Sequence, residues 1–298
     1  MSFQVETALV QAYKSNIEIQ FQQKGSRLRD TVMVEPQNAE FEFYDRITQT
    51  EAVEVTSRHG DTPLISTPHD RRRISTADYD WADMIDRRDR IRMLADPTSS
   101  YSINAIYALG RKVDDVIIAA AVGSASTGKT GSTTVTFPAG QTIAVNYVES
   151  GVAADSNLTI GKLRRAQFLM LSQEVVSEAD EEEMFCILTA SQLQGLLRTT
   201  EVTSADYNTV RALVKGEIDT FMGFKFKRTE RLTKTGDDRS VLFYPRSAIT
   251  LGLADELTVD IGPRRDKRNS VQVYVTGSFG AVRMWEEKVI ECLCDETT

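Results

Sequence analysis

The chain has 298 residues, 41% of them hydrophobic and 26% charged, with 43 acidic residues against 35 basic ones and a net charge of −8. That composition excludes a disordered chain, and the acidic balance excludes a sequence-reading nucleic-acid binder, whose affinity rests on a basic surface; a protein that merely surrounds nucleic acid is still allowed. No apolar run nears the roughly 20 residues of a membrane helix, and the opening MSFQVETALVQAYKSN lacks the basic start and apolar core of an export signal.

A soluble, non-exported chain is therefore expected. Residues 1–30 read as an arm: a helix fits Val5 to Ser15, and Ile17, Ile19 and Phe21 then alternate with polar residues as in an extended segment. Residues 31–75 look extended. Val32 and Val34, Phe41 and Phe43, and Val53 and Val55 alternate with their neighbours as half-exposed strands do. SRHGDTPLISTPHDRRRIS, with its prolines, its Gly-Asp turn and its arginine triplet, reads as the tip and return of a long β-hairpin. Residues 76–95 read as a helix, because Trp81, Met84, Ile85, Arg88, Ile91 and Leu94 step by three or four. Asp83 and Asp86 precede Arg87 and Arg90 by one helical turn, and Asp96-Pro97 ends the run.

A second helix is expected over 100–122, with Ile103, Ile106, Tyr107, Gly110, Val113, Ile117 and Ala120 on one face, Ser99 or Ser100 as its cap and Gly123 at its end. TTVTF and TIAVNYV around PAGQ predict a hairpin over 132–148, and 158–177 a long helix followed by the acidic run Glu178–Glu183. MFCILT is a short apolar strand, and Thr189 with Gln192 forms a capping box opening the helix ASQLQGLLR. A helix from Ser204 to Val214, a turn and strand in GEIDTFMGFKFKRTERL, a strand in SVLFYP and a short helix in RSAITLGLADEL follow. The C-terminal stretch alternates through Val271, Val273 and Val275, and Cys292 and Cys294 share one face of a closing strand. The mixture is α+β.

GSASTGKT, Gly123 to Thr130, is a complete G-x-x-x-x-G-K-[ST] string. A phosphate-binding loop lies between a buried strand and a helix whose N-terminus faces the phosphates. Here VIIAAAVG continues a helical face, and Gly131, the β-branched STTVTF and Pro138 follow, so Lys129 has no helix behind it. The nearest magnesium-binding candidate, LTVD ending at Asp260, is interrupted by Thr258. A flexible loop joining a helix to a hairpin, with Lys129 exposed, is the better reading; a P-loop NTPase is the rival from another class. Three cysteines (Cys186, Cys292, Cys294) and two histidines make neither a disulfide framework nor a metal site. His59 with Asp61 and His69 with Asp70 fit polar turns at a hairpin tip. EADEEE lacks the ligand spacing of a calcium loop. No catalytic residue, metal or cofactor is expected. Arg71, Arg72 and Arg73, with Asp78, Asp80, Asp83 and Asp86 close by, suit ion pairs between subunits.

An arm, a long hairpin, a long helix and a mixed domain make the layout of a shell-forming protein, because such a hairpin cannot bury both faces within its own chain. Two stretches carry a closer likeness: Arg58–Gly123, which opens RHGDTPLISTPHDRRRIS, and Tyr244–Cys294, which opens YPRSAITLGLADELTVDIGPRRDKR. In wording they resemble major capsid proteins of tailed phages, with the Hong Kong 97-type fold. The resemblance implies an N-terminal arm (1–30), an extended β-hairpin E-loop (31–78), a P domain with a long spine helix near 158–177 (79–183), an A domain (184–255) and C-terminal strands returning to the P domain (256–298). It implies a structural protein without enzymatic activity that builds hexamers and pentamers of itself into an icosahedral shell around double-stranded DNA. Assembly would take place in the host bacterial cytoplasm, with a scaffolding protein, a portal and a cement or decoration protein as partners, and without a membrane. A gene-transfer-particle or nanocompartment shell of the same fold is the nearest alternative. Some members lock the shell through an E-loop lysine joined to an asparagine. This chain has no lysine between Gly25 and Arg111, so that bond is chemically impossible here. Charged contacts by Arg58, Asp61, Arg71, Arg72, Arg73, Asp83, Asp86, Arg87, Arg88 and Arg90 are expected across subunits instead.

Overall fold

The computed structural model describes residues 22–58, 60–62, 64–86, 98–175, 182–198 and 220–297. The helices expected over Val5–Ser15 and Ser204–Val214 lie outside these residues. The elements in chain order are Met33–Pro36 (β1), Phe41–Ile47 (β2), His69–Ser75 (β3), Ala77–Ile85 (β4), the helix Thr98–Val122 (α1), Ala125–Thr127 (β5), Thr133–Val135 (β6) and Thr142–Ile143 (β7). The helix Ile160–Ser172 (α2), Met184–Leu188 (β8), the helix Ala190–Arg198 (α3), Thr220–Phe221 (β9), Phe224–Arg228 (β10) and Lys234–Thr235 (β11) follow. Asp238–Pro245 (β12), Ile249–Arg264 (β13), Ser270–Arg283 (β14) and Ile290–Asp295 (β15) complete them. The chain divides into two compact units, a larger one of residues 27–77, 113–254 and 279–298 and a smaller one of 1–26, 78–112 and 255–278.

The larger unit is built on a seven-stranded sheet in the order β7-β15-β12-β8-β10-β9, with β11 paired to β12. Its central strand β12 is buried from Ser240 to Pro245 with no alternation, as expected where both faces of a sheet are covered. Helix α2 lays Ile160, Leu163, Ala166 and Met170 into the core beside Phe224, Phe243 and Ile290. Thr159 caps it, its hydroxyl accepting from the Lys162 N–H at 3.3 Å. The helix stops at Ser172, short of the expected 177, because Glu174 takes a left-handed φ of 51°. The Val175 N–H then reaches Met170 O at 3.1 Å and the Glu174 N–H reaches Leu171 O at 3.1 Å. This double closure normally uses glycine, so no residue type announced it. The ammonium of Lys162 is buried and donates to Val145 O, Ser156 O and Leu293 O at 2.8, 2.6 and 3.0 Å. All three cysteines are free and buried here, with Cys292 and Cys294 on one face and their sulfurs 3.8 Å apart. Burial pushes the Cys186 and Cys292 thiols well above their ordinary range. Gln192 Oε1 accepts from the Thr189 N–H at 3.0 Å, the capping contact expected at the start of α3.

A second sheet of the larger unit, β2-β3-β5-β6, carries a long antiparallel ribbon. Strands β2 and β3 pair from Phe41↔Ser75 to Ile47↔His69, and the described residues between them form the loop at the ribbon's end. Val53 and Val55, expected in a strand, lie in that loop without regular structure. The hairpin expected over 132–148 is not formed. Strand β6 pairs with β5, whereas β7 crosses to run parallel with β15.

In the smaller unit, Tyr79, Trp81 and Ile85 pack with Ala105, Leu109, Val273 and Val275. Residues 77–85 are a strand and not the expected helix. Tyr79, Trp81, Asp83 and Ile85 alternate inward, and two aromatics at that spacing favour the pleated surface. Helix α1 begins at Thr98, which puts Ser99 and Ser100 inside it instead of at its cap. Gly110 lets two backbones meet, since a Cβ there would lie 2.7 Å from the Gly25 backbone. RSAITLGLADEL, expected to be helical, makes a single tight turn at Arg246–Ala248 and then becomes β13. Its first residues are buried beside β1, with Met33↔Thr250 and Val34↔Leu251 in parallel register.

Candidate assembly surface

The ribbon β2–β3 is amphipathic the unusual way round. Residues directly opposite in an antiparallel pair share a face. One face therefore carries Phe41, Phe43, Asp45 and Ile47 against Ser75, Arg73, Arg71 and His69, and the other carries Glu42, Tyr44 and Arg46 against Ile74, Arg72 and Asp70. The apolar set is on the solvent side: Phe41, Phe43 and Ile47 are 43%, 38% and 58% exposed. Arginines lie over the rings, Arg73 on Phe41 at 4.9 Å and Arg71 on Phe43 at 5.9 Å. Beyond the ribbon every described residue from Ile47 to His69 is exposed, including Val55 and Leu64. A ring pair with guanidiniums stacked on it and a loop that exposes Val53, Val55, Leu64 and Ile65 form a surface ready to be covered.

The inner face is anchored by Ile74, packed with Ala125 and Val282, and by a set of polar contacts. Arg46 donates from Nε to Asp70 Oδ2 at 3.0 Å, and its guanidinium lies 4.6 Å from the Trp285 ring centre. Arg72, fully buried, ion-pairs with Glu286 and donates from Nε to Met284 O at 3.2 Å. Burial alone would push the Asp70 carboxyl up. The Thr127 hydroxyl at 2.7 Å, the Arg46 guanidinium and the Arg71 N–H outweigh it and hold Asp70 well below the ordinary carboxylate range. Removing one partner of such a buried pair is costly, because it strands the other charge.

The expected contact residues are therefore divided. Arg58 and Asp61 lie exposed in the loop. Arg71 is exposed and pairs with Asp45 at 2.6 Å on the outer face, where Arg73 also lies. Arg72 is engaged inside its own chain. Asp83 sits half-buried on β4, not on a helix, its carboxylate accepting from the Met84 N–H at 2.7 Å. Asp86 is exposed just past β4, and Arg87, Arg88 and Arg90 lie outside the described residues. The outward turn of Phe41 and Phe43 was the feature sequence reasoning missed; the signal available was the matching alternation of Arg71 and Arg73 opposite them.

The GSASTGKT string folds as the end of α1, strand β5 and a turn into β6. Gly128 and Gly131 have φ of +89° and +66°, and a Cβ on Gly131 would meet the Arg73 side chain at 2.5 Å. The glycines serve a tight hairpin beside the ribbon, and Lys129 is exposed at its tip. A strand, not a helix, follows the loop, so the geometry that cradles phosphate is missing. Among the described residues no group of three His, Cys, Asp or Glu is placed to hold a metal, and no helix is long and apolar enough to cross a membrane.

The sequence profile of the family described as phage capsid protein matches residues 5–296. The chain belongs to the phage capsid protein family. No curated protein matches it. Solved structures resemble this capsid protein over nearly its whole length. The capsid of cyanophage P-SCSP1u matches at 17% identity and a TM-score of 0.72, covering 97% of this chain and 94% of that one. The capsid of Ralstonia phage GP4 matches at 12% identity and 0.72, covering 96% and 95%. The capsid of a native GTA particle matches at 13% identity and 0.70, covering 97% and 96%. The capsid protein thus has the Hong Kong 97-type fold, and it self-associates to build the shell.

Proposed function

We propose that this chain is the major capsid protein of a tailed phage, assembling as hexamers and pentamers into an icosahedral head around double-stranded DNA. The observation that carries this reading is the outward face of the ribbon, whose rings, arginines and exposed loop have no apolar cover within the larger unit. Copies of the chain supply that cover, with Arg71 and Arg73 at the contact and Arg58 and Asp61 in the loop beside it; Asp83, Asp86 and the 87–90 arginines serve the same purpose from the segment around β4. The ribbon and its loop act as the E-loop. At 25 residues α1 is a better spine helix than α2, which has 13. The seven-stranded sheet acts as the core of the A domain. The protein works without enzymatic activity or cofactor. It assembles in the host bacterial cytoplasm with a scaffolding protein and portal, and a decoration protein is compatible with the finished shell. Net charge of −8 suits a wall along which DNA must slide.

Electron microscopy of the expressed full-length chain, alone and with scaffold, tests this. Closed shells or capsomer rings are expected, and an Arg71→Glu/Arg73→Glu variant is expected to form far fewer of them. A monodisperse monomer without rings, or lysine-dependent nucleotide turnover abolished by Lys129→Ala, would overturn it. The likeness to the GTA capsid supports a second reading, a gene-transfer particle, separable by whether the packaged DNA is host or viral.

A further inference from the structure

Glu286 lies among three guanidiniums. It pairs with Arg72, and it stands 3.5 Å from Arg46 Nη1 and 3.9 Å from Arg283 Nη2. Two of these arginines belong to the ribbon. The third ends β14 and is fixed independently of Glu286. Its Nη1 donates to Ala121 O and Gly123 O, both at 2.8 Å, at the electronegative end of α1, and the Phe137 ring covers it at 5.1 Å. Yet Nε and Nη2 of Arg283, which form one edge of its guanidinium, are buried without a hydrogen-bond partner, as is Nη1 of Arg72. Orphaned buried donors are costly, and such an edge is the bidentate match of a carboxylate. Glu286 needs to shift only about 1 Å to reach ordinary hydrogen-bond length with it.

We propose that Glu286 is a shared latch at the base of the ribbon. Its carboxylate is held by Arg72 when the ribbon lies against residues 284–286, and it passes to the Nε–Nη2 edge of Arg283 when the ribbon lifts. Glu286 keeps a guanidinium partner in both positions. Arg46 leaves with Asp70 as a ready-made pair, since Asp70 is also held by Thr127 of the same sheet. Arg72 leaves with its orphan Nη1 free to hydrate, and the orphans of Arg283 gain their carboxylate. The lowered position is favoured by the Met284 carbonyl, which accepts from both Arg46 and Arg72. The ribbon base is thereby a hinge with two settled positions, whatever the assembled shell encloses.

Hydrogen exchange on the purified full-length chain tests this, with the amides of β12 and β15 as the control for intact folding. In Glu286→Gln the amides of Phe41–Ile47 and His69–Ser75 are expected to exchange about tenfold faster, because the latch loses its charge. Arg283→Lys separates the latch from a passive brace. A lysine ammonium can still cap the α1 carbonyls but offers no fork, so Glu286 stays with Arg72 and the same amides should exchange about threefold slower. Faster or unchanged ribbon exchange in Arg283→Lys overturns the proposal. Should Glu286→Gln fail the folding control, Arg283→Lys decides alone.

Discussion

The seven-stranded sheet and the β2–β3 ribbon are both built of strands that carry large apolar residues, and they end in opposite states. In the sheet, strands such as β12 and β15 turn Val241, Phe243, Ile290 and Cys292 into a core that α2 closes, so the region is complete within one chain. In the ribbon Phe41, Phe43 and Ile47 turn outward beside Arg71 and Arg73, while Arg46 and Arg72 turn inward, where Asp70 and Glu286 receive them. Which side of a strand becomes the inside is decided by what lies beneath it. The Met284 carbonyl and the Glu286 carboxylate capture Arg46 and Arg72, and the rings on the other face stay exposed.

The contrast can be broken most strongly at the sheet. Phe243 is fully buried and meets the Phe224 ring at 5.1 Å. Phe243→Ala is expected to cost about 3–5 kcal/mol, measured by denaturant unfolding of the disassembled chain.

Next comes the polar margin of the same sheet. Glu296 receives the forked Arg239 guanidinium at 2.9 and 3.1 Å and the Lys234 ammonium at 2.8 Å. Arg239 first, then Lys234 and Gln192, overcome burial and lower its carboxyl from the ordinary 4.5 to about 2. A carboxyl lowered in the folded state contributes stability above its unfolded value and loses it as pH falls through the folded one. Wild type should therefore exceed Glu296→Gln by about 1–2 kcal/mol at neutral pH. That gap should close between pH 4.5 and 2, which unfolding curves across that window would show.

The smallest effect on the chain is expected at the ribbon's outer face. Phe41→Ser with Phe43→Ser should lower the stability of the unassembled chain by about 1 kcal/mol, since part-exposed rings stacked by guanidiniums are lost, while sharply lowering the yield of closed particles seen by microscopy. An undiminished yield would mean that these rings are not covered by neighbours.

Much of this was legible beforehand. The ribbon's return strand, α1, β8, the cap of α3 and the shared face of Cys292 and Cys294 follow from periodicity and capping chemistry, because each is set by its own residues. The failures have a common cause. Trp81, Met84 and Ile85 satisfy a helical step as well as a pleat, and only Val273, Val275 and Leu109 packed beside that strand in the smaller unit decide for the pleat. Ile249–Leu253 reads as a helix until β1 lies alongside it. Thr142 and Ile143 were matched with the wrong strand because β15, their true partner, is almost 150 residues away. The alternation of the arginine triplet on a return strand was visible, but not that Arg72 points inward, since that depends on Glu286, far along the chain.

Burial of Cys186, Cys292 and Cys294, the chain's entire complement of thiols, has a practical outcome for chemical labelling. Shielded from solvent, these sulfurs are out of reach of oxidants and of thiols on other molecules. The exterior is in effect a blank canvas for thiol chemistry. A single cysteine installed at Val55 or Leu64 would stand alone as a maleimide handle, and the rate at which it is labelled before and after shell closure would test whether the loop is covered.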